Sequence, residues 1–478
     1  MIEILCRNPG TNAVGWRNME TVGPLQRMKR VGTNVGWNGD NRESSDPMLI
    51  LTLNDNSIVN CYTRLDVSIM SMPGIVHDLM LELTNGTRFN RNQVRRVDFG
   101  PGWNLNYIPN YFLSGLGQLI HLGSLPTIIT SIGNHFLQFC TSFNQPIILS
   151  NNINSIGMAF LMNCTSYDQP INIPNSLSII DSAFMAFCTS FNSPVTIFST
   201  PSFITNSFMF SCTSFNQPVT MPNTITRIGD NFLGNCSSFN SSLQLSNTIA
   251  SIGHGFLERC TSFNQPLLIR NGIVDIGNSF MNGCWSFNQP INIPNTISRI
   301  ESMYLAHCRV FNQPINIPSS VTNIGNGFMF GSRMFNRNMV IPNSVVEIGN
   351  EFMMECNAFT GSITIPSSVT SIGPGFMIKH NVFSSFTINA SPNFITALMN
   401  DDITHLHGWR ISLSGQWNVI LNGPIGNPGQ IYHVNISGLT QAQFDQLRTR
   451  FPDINGARLD PGGDINVHQL GFRHLRRV

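Results

Sequence analysis

Cysteine is the residue type in this sequence whose reactivity and regular spacing could form a chemical site. Thiols recur every 24 residues, and the same register passes through Ser332 and Cys356 and reaches His380. The regular members are Cys140, Cys164, Cys188, Cys212, Cys236, Cys260, Cys284 and Cys308. Thiols spaced in this way could form disulfides, bind a metal ion or fill one buried position of a repeated unit. Because Leu116 and His380 occupy the same position at the two ends of the register, the position does not require a thiol.

The geometry of a repeated strand separates these three interpretations. Neighbouring strands lie about 4.8 Å apart, which is within the roughly 4.4–6.8 Å Cα separation of a disulfide. Side chains stacked in parallel point the same way, however, whereas a disulfide needs two that face each other. One thiol per repeat also does not converge into the tetrahedral ligand set of zinc. We therefore predict a column of reduced, buried thiols, with disulfides or a metal site as the alternatives.

The other candidate catalytic and metal-binding residues form no constellation. His405 and His407 are two possible ligands without a third nearby. The glycine-rich segment 422–430 lacks the Lys-Ser/Thr pair of a P-loop. Carboxylates in the repeats are scattered, at Asp181, Asp230, Asp275, Glu301 and Glu347. The sequence therefore predicts no catalytic residue, no metal site and no cofactor, and we expect the protein not to be an enzyme.

The thiols belong to a longer repeat whose other columns must position them. An aromatic residue follows three positions after the thiol, from Phe143 to Phe359. Triplets such as Ile171-Asn172-Ile173 predict a short strand with one buried face. The segment "VTSIGPGFM" has apolar spacings of three and four, which predict a helical turn beyond a glycine corner. A period this constant indicates a solenoid of roughly eleven or twelve coils over residues 92–385.

A polar column runs beside the aromatic one. Its members are Asn144, Asp168, Asn192, Asn216, Asn240, Asn264, Asn288, Asn312 and Asn336. An Asn side chain both donates and accepts, so a stacked column can satisfy backbone groups of adjacent coils. We predict a structural ladder here, with a functional surface stripe as the alternative.

The repeat resembles leucine-rich repeats of the BspA type. "INIPSSVTNIGNGFMFGS" (315–332) and "ITIPSSVTSIGPGFM" (363–377) are similar to the Ile-x-Ile-Pro-x-Ser-Val-x-x-Ile-Gly-x-x-Phe-x-x-Cys pattern of that family. The Phe-Asn-Gln-Pro and Ile-Pro-Asn-Ser stretches also resemble FNIP repeats of social amoebae and giant DNA viruses. The BspA resemblance implies an α/β solenoid that is curved, with a parallel sheet on its concave side and a protein-binding or ligand-binding role. It implies no chemistry.

We expect three parts in the 478-residue chain. Residues 1–91 form a β-rich N-terminal domain and cap, with a hairpin over 48–62. Residues 92–385 form the leucine-rich-repeat solenoid. Residues 386–478 form an α+β domain with a hairpin over 409–423, a strand–helix–strand unit over 432–460 and a short basic tail. Terminal coils of a solenoid expose apolar surface, so end domains of this kind are expected as caps.

Composition and charge exclude several classes of protein. A hydrophobic content of 41% argues against a disordered chain, and a net charge of +1 gives no global attraction to nucleic acid. No apolar run of 18 residues is present, so we expect no membrane span. The N-terminal segment lacks the basic start and apolar core of a signal peptide, which favours an intracellular or virion setting over classical secretion. The sequence does not determine the compartment itself.

Two surface columns are candidate binding sites. The outward positions of the predicted strands are uncharged, which suits a broad protein or glycan contact; they are Asn172, Thr196, Thr220, Gln244, Asn292, Asn316 and Thr364, interspersed with Ile148, Leu268 and Val340. The alternative is that they are ordinary exposed strand positions. A second column, expected at a coil corner, alternates in charge and contains Arg227, Asp275, Arg299 and Glu347.

Two functional hypotheses follow from these columns and from the chain ends. The first is a non-enzymatic leucine-rich-repeat scaffold that binds a protein, or a glycan, through the solenoid surface. The second is a structural component of a larger assembly, such as a virion or appendage. In that case the terminal domains would dock, through Trp409 and Trp417 or through the basic residues Arg473, Arg476 and Arg477.

Overall fold

The chain divides into two compact units, Met1–Arg42 and Glu43–Val478, in a computed structural model of the protein. The first unit contains an antiparallel strand pair, Glu3–Arg7 with Val14–Asn18. The structure describes residues 3–7, 14–18, 46–71, 80–197, 201–359, 363–366, 368–373, 385–388, 433–436, 458–459, 465–467 and 472–477. The predicted boundaries at 91/92 and 385/386 stay predictions.

A four-stranded sheet begins the second unit. Its strands lie in the order Ile58–Cys61, Leu49–Leu53, Val94–Phe99 and His121–Leu122. The first two are antiparallel, which confirms the hairpin predicted over 48–62. The last two are parallel, and His121–Leu122 already lies within the residues 92–385 that we predict to form the solenoid. The N-terminal sheet therefore passes directly into the solenoid.

Short elements connect the strands Ile58–Cys61 and Val94–Phe99 of that sheet. The α-helix Arg64–Ile69 begins with a capping box in which Thr63 Oγ1 accepts from the Asp66 N–H and Asp66 Oδ2 accepts from the Thr63 N–H, both at 3.1 Å. Met80–Glu82 and Arg88–Asn90 form an antiparallel pair, followed by the 3-10 helix Arg91–Gln93.

The solenoid is built from two columns of short parallel strands. The strands of the column that we call ladder A follow the predicted apolar–polar–apolar triplets, which confirms that prediction. They are Ile171–Ile173 paired with Val195–Ile197, Val219–Thr220 paired with Leu243–Gln244, and Met339–Val340 paired with Ile363–Ile365. The confirmed architecture is a parallel β-solenoid of about eleven coils with little helix.

Ladder A continues into the C-terminal region. Ile363–Ile365, Ser385–Ile388, His433–Ile436 and Phe472–Arg477 are parallel neighbours. Ile465–Val467 and Arg458–Leu459 then add antiparallel strands to the same sheet. Both strands of the predicted strand–helix–strand unit are present, whereas its helix and the hairpin over 409–423 lie outside the described residues.

The second column of strands, ladder B, corrects the prediction of a helical turn. Each strand has two residues and pairs in parallel fashion with strands 24 residues away. The strands are Tyr107–Ile108, Ser131–Ile132, Ser155–Ile156, Ile179–Ile180, Phe203–Ile204, Arg227–Ile228, Ser251–Ile252, Asp275–Ile276, Arg299–Ile300, Asn323–Ile324, Glu347–Ile348 and Ser371–Ile372. In each strand the Ile at the second position points towards the core, and the first residue is the more exposed of the two over most of the column.

The segment after ladder B is a chain of turns, not a helix. In one coil Asn231, Leu233 and Asn235 have φ of 55°, 53° and 60°, so alternate residues adopt the left-handed conformation. The N–H groups of Asn231 and Asn235 donate to His254 O and Glu258 O of the next coil, both at 2.6 Å. Because these N–H groups bond between coils, they are not available for the i→i−4 bonds of a helix.

Glycine is needed in the column that contains Gly229 because adjacent coils approach closely there. It is not needed there for a backbone conformation that only glycine adopts. At Gly229 an added Cβ would lie 2.7 Å from the carbonyl carbon of Thr205 and 2.8 Å from the backbone nitrogen of Asn206 in the preceding coil. The predicted corner is therefore wrong in its physical cause: the coils touch here, and a side chain would separate them.

Two stacks of aromatic rings fill the interior. Phe239 lies between Phe215 and Phe263, with ring centroids 5.7 and 5.5 Å away and nearly parallel planes. A second stack contains Phe232, flanked by Phe208 and Phe256 at 5.7 and 5.6 Å. These rings are fully buried, so the repeated aromatic positions account for much of the buried apolar area.

Candidate binding surfaces

Every thiol of the column donates to a backbone carbonyl 27 residues earlier in the chain. Cys236 Sγ lies 3.2 Å from Met209 O. The same bond, at 3.0–3.4 Å, is made by Cys140, Cys164, Cys188, Cys212, Cys260, Cys284, Cys308 and Cys356. All nine thiols are free and fully buried, which confirms the predicted reduced column over the coils that the structure describes.

Burial decides the chemistry of these thiols. Removal from water raises the pKa of Cys212 and of Cys260 to about 12 and raises that of Cys236 well above its ordinary value. A protonated and enclosed thiol is neither a nucleophile nor a metal ligand. The column therefore stabilises the fold and does not form a site.

The Asn column is a structural ladder, as predicted. Asn240 Oδ1 accepts the backbone N–H of Asn264 at 2.8 Å, and the bond repeats from Asn144 to Asn336, with Asp168 taking part. A second polar ladder, which the sequence analysis did not single out, follows ladder B. In it His254 Nδ1 accepts the backbone N–H of Asn278 at 2.8 Å. Both ladders satisfy turn backbone that stacking would otherwise leave unpaired.

The outward side chains of ladder A and of the same triplet in neighbouring coils form an uncharged surface. The predicted residues Asn172, Thr196, Thr220, Gln244, Asn292 and Asn316 are all exposed. Ile148, Leu268 and Val340 at equivalent positions are 79%, 58% and 65% exposed. The strand of Thr364 pairs as expected, but its side chain lies outside the described residues. These three aliphatic side chains stand five and three coils apart among polar ones, so the column is uncharged without forming one continuous apolar patch.

The charged column lies on the strands of ladder B and not at a corner, which corrects that expectation. The Arg227 guanidinium stands 5.1 Å from the ring centre of Phe203 in the adjacent coil. Arg299 Nε is 3.1 Å from Glu301 Oε1, so this guanidinium already has a carboxylate beside it. The carboxylate of Glu301 reduces the charge that Arg299 presents to a partner.

The structure describes some of the predicted docking residues of the C-terminal region and not others. Trp409 and Trp417 lie outside the described residues, as do His405 and His407. The backbone of Arg473, Arg476 and Arg477 belongs to the strand Phe472–Arg477, which pairs with His433–Ile436. The predicted basic tail is therefore a strand of the sheet.

The part of the chain that the structure describes holds neither a metal-ligand cluster nor a membrane-spanning helix. Within the described ranges, no three His, Cys, Asp or Glu side chains come together as ligands for a metal ion. Over the same part of the chain, we found no helix with the length and apolar character to cross a membrane.

Sequence reasoning missed a cluster that we call the arginine–tryptophan patch: Arg259, Trp285, Val310, Met334, Arg309 and Arg333. The Arg309 guanidinium lies 3.8 Å from the ring centre of Trp285. Trp285, Val310 and Met334 are 43%, 43% and 55% exposed. The available signal was a break in a repeated column, because the position after the thiol holds Thr or Ser from Thr141 to Thr261 and then changes.

Comparison with known proteins gives a family. The sequence model for the BspA type leucine rich repeat region matches residues 87–192, 202–336, 274–404 and 328–438, in six copies. These segments cover well over half of the chain. No curated protein sequence matches it.

Solved structures of leucine-rich repeat proteins are similar to this chain at low sequence identity, and one of them reaches a TM-score of 0.50. A leucine-rich repeat protein from Bacteroides ovatus is 15% identical, with a TM-score of 0.50, and the match covers 73% of this chain and 94% of that one. A leucine rich cell surface protein from Faecalibacterium prausnitzii is 17% identical, with a TM-score of 0.38, and the match covers 66% of this chain and 92% of that one. At these identities the likeness concerns the fold alone.

Proposed function

This chain belongs to the BspA-type leucine-rich repeat family, and from that membership we propose that it is a non-enzymatic scaffold that binds another protein through the outward side chains of ladder A. Repeats of this kind give a rigid surface whose outward positions vary while the interior stays constant. The aromatic stacks and the thiol column are that constant interior. Binding specificity is then carried by side chains that folding leaves unconstrained.

One observation carries the proposal. The outward column of ladder A places exposed aliphatic residues, up to 79% exposed at Ile148, among exposed Asn, Thr and Gln. A protein interface combines apolar contacts with hydrogen-bonding groups and is depleted of charge at its centre. The ladder A surface has this composition, whereas the ladder B column carries charged residues with neighbours already beside them.

Substitution by Arg tests the surface without disturbing the core. Thr220→Arg and Gln244→Arg place a long charged side chain on two adjacent strands of ladder A. Asn247→Arg, at an exposed turn of the same coil as Gln244, is the matched control. Proteins captured from the source cells by wild type and by the control should be lost from both ladder A variants, at unchanged melting temperature. Equal capture by all four proteins would overturn the proposal.

A structural role in a larger assembly is the second candidate. Its support is that the sheet of ladder A extends to Phe472–Arg477, so that three arginines stand in a terminal strand. Arg476→Glu should then block incorporation into the assembly and leave the ladder A variants incorporated. The capture experiment also tests whether ladder A binds a glycan. In that case, glycosidase treatment of the captured material should abolish binding.

A further inference from the structure

The arginine–tryptophan patch begins where a structural column of hydroxyls ends. Thr213, Ser237 and Thr261 each donate their hydroxyl to a backbone carbonyl of the preceding coil, at 3.4, 3.4 and 3.2 Å. Trp285, Arg309 and Arg333 occupy this position in the next three coils. In these three coils a large side chain stands where the three coils before them have a small hydroxyl residue that bonds to its preceding coil. The fold therefore does not explain why these large side chains are present.

The side chains of the patch are held in place from two sides. The Arg309 guanidinium stacks on Trp285 at 3.8 Å, a cation–π contact that restricts a flexible side chain. Gly283 leaves room for Arg259, because an added Cβ would lie 3.2 Å from Arg259 Cγ. Gly283 therefore allows the stem of Arg259 to lie across the next coil. Held in this way, an arginine loses less freedom when it binds.

Positive charge predominates in the patch. Arg259, Arg309 and Arg333 are exposed. Burial lowers the pKa of His307, the three arginines lower it further, and Glu355 acts in the opposite direction. Glu355 opposes this charge, with its Oε2 3.9 Å from Arg333 Nη2. At this distance, and with the Arg333 side chain 57% exposed, the pair neutralises Arg333 only in part. All three arginines act on His307, so their charges lie near one another on the surface.

We propose that the arginine–tryptophan patch binds an acidic segment of a partner protein that also carries aliphatic side chains. A guanidinium stacked face-on keeps its in-plane N–H donors for a carboxylate, which it binds in bidentate fashion. Exposed Val310 and Met334 supply the apolar contact. This site goes beyond the ladder A surface, and its test does not depend on that surface.

Anionic glycans and nucleic acids fit the patch less well. Sugars and bases stack on an open aromatic face, but Arg309 already covers one face of Trp285. Val310 and Met334 offer neither hydrogen bonds nor charge to a sulfate or phosphate chain. An acidic peptide with leucine side chains uses both properties of the patch.

Fluorescence anisotropy with a labelled peptide of sequence Glu-Glu-Leu-Glu-Asp-Leu-Glu-Glu tests the proposal. We expect saturable binding that weakens as salt rises and that falls about tenfold or more in Arg309→Glu. Arg270→Glu removes an exposed arginine elsewhere in the solenoid and should bind as wild type does. The triple variant Trp285→Thr, Arg309→Thr, Arg333→Thr restores the hydroxyl column, so it should fold and yet lose binding.

Four results would overturn the proposal. They are no saturable binding up to about 1 mM peptide, equal binding by the triple variant, equal loss in Arg270→Glu, and tighter binding of a sulfated oligosaccharide or an oligothymidine than of the peptide. Thr220→Arg should leave peptide binding unchanged. The ladder A proposal and this one can therefore fail separately.

Discussion

Ser332 donates its hydroxyl to the Leu305 carbonyl oxygen at 3.0 Å, which is the bond that a thiol makes at the same position of the other coils. Both side chains are fully buried. From Cys140 to Cys356 the position therefore holds a small donor, and sulfur chemistry is not required of it. This equivalence explains why the register tolerates Ser332 among the cysteines.

Cys236→Ser should consequently keep most of the stability of the wild type, while Cys236→Ala should lower the free energy of unfolding by about 1–2 kcal/mol. Alanine removes the bond to Met209 O and leaves a small void. Urea unfolding followed by circular dichroism measures both values. Sensitivity of the wild type to dithiothreitol would contradict the column of reduced thiols.

Stability should fall steeply at alkaline pH. Burial raises the pKa of Cys212, Cys260 and Cys308 to about 12, above the ordinary value of 9.0. The folded state therefore keeps protons that the unfolded state releases as pH rises above about 9. The stability contributed by the protonated thiols is fully present below about pH 9. It is lost between about pH 9 and 12, where the free energy of unfolding falls by about 1.4 kcal/mol per pH unit for each thiol.

The urea midpoint measured at pH 8, 9 and 10 checks this slope. Cys236→Ser removes one titrating thiol. The free energy of unfolding of this variant should therefore fall less steeply with pH than that of the wild type, by about 1.4 kcal/mol per pH unit. Parallel pH profiles for the variant and the wild type would show that the thiols are not the cause.

Phe239→Ala should cost about 3–5 kcal/mol, several times the cost of Cys236→Ala. Its ring is fully buried and stacks on Phe215 and Phe263, at 5.7 and 5.5 Å, so truncation leaves a cavity between two coils. Phe239→Leu, which fills part of that cavity, should lose less. Chemical denaturation of the three proteins gives the ranking, and equal losses from the two Phe239 variants would refute it.

Tyr304→Phe should stabilise the protein, by about 1 kcal/mol. Tyr304 is fully buried among phenylalanines, and its hydroxyl finds no hydrogen-bond partner in the part of the chain that the structure describes. Removing the hydroxyl removes its desolvation cost and keeps the stacked ring. Tyr62→Phe, at a tyrosine that takes part in a hydrogen bond, is the control and should not gain. A lower melting temperature for Tyr304→Phe would mean that the hydroxyl has a partner.

The sequence predicted the thiol and Asn columns because both depend on a residue type that recurs at one position. Ladder B could not be predicted from the same repeat. Apolar spacings of three and four, as at Ile225, Ile228 and Phe232, suit a helix, and they suit a short strand followed by turns equally well. The arginine–tryptophan patch was missed for the opposite reason, since Trp285 departs from the repeat and a search for recurrence passes over it.

Gly229→Ala should destabilise the solenoid, although Ala is ordinarily the better residue for an ordered chain. The new Cβ would lie 2.7 Å from the carbonyl carbon of Thr205, a backbone atom that can move only if the coils separate. We expect a loss of about 1–3 kcal/mol. Gly272→Ala is the matched control, because its Cβ would meet nothing closer than Ile249 O at 3.8 Å. That variant should be neutral or slightly stabilising through the unfolded state. Thermal unfolding of the two variants compares them directly, and equal melting temperatures would show that the coils are not in contact at the glycine column.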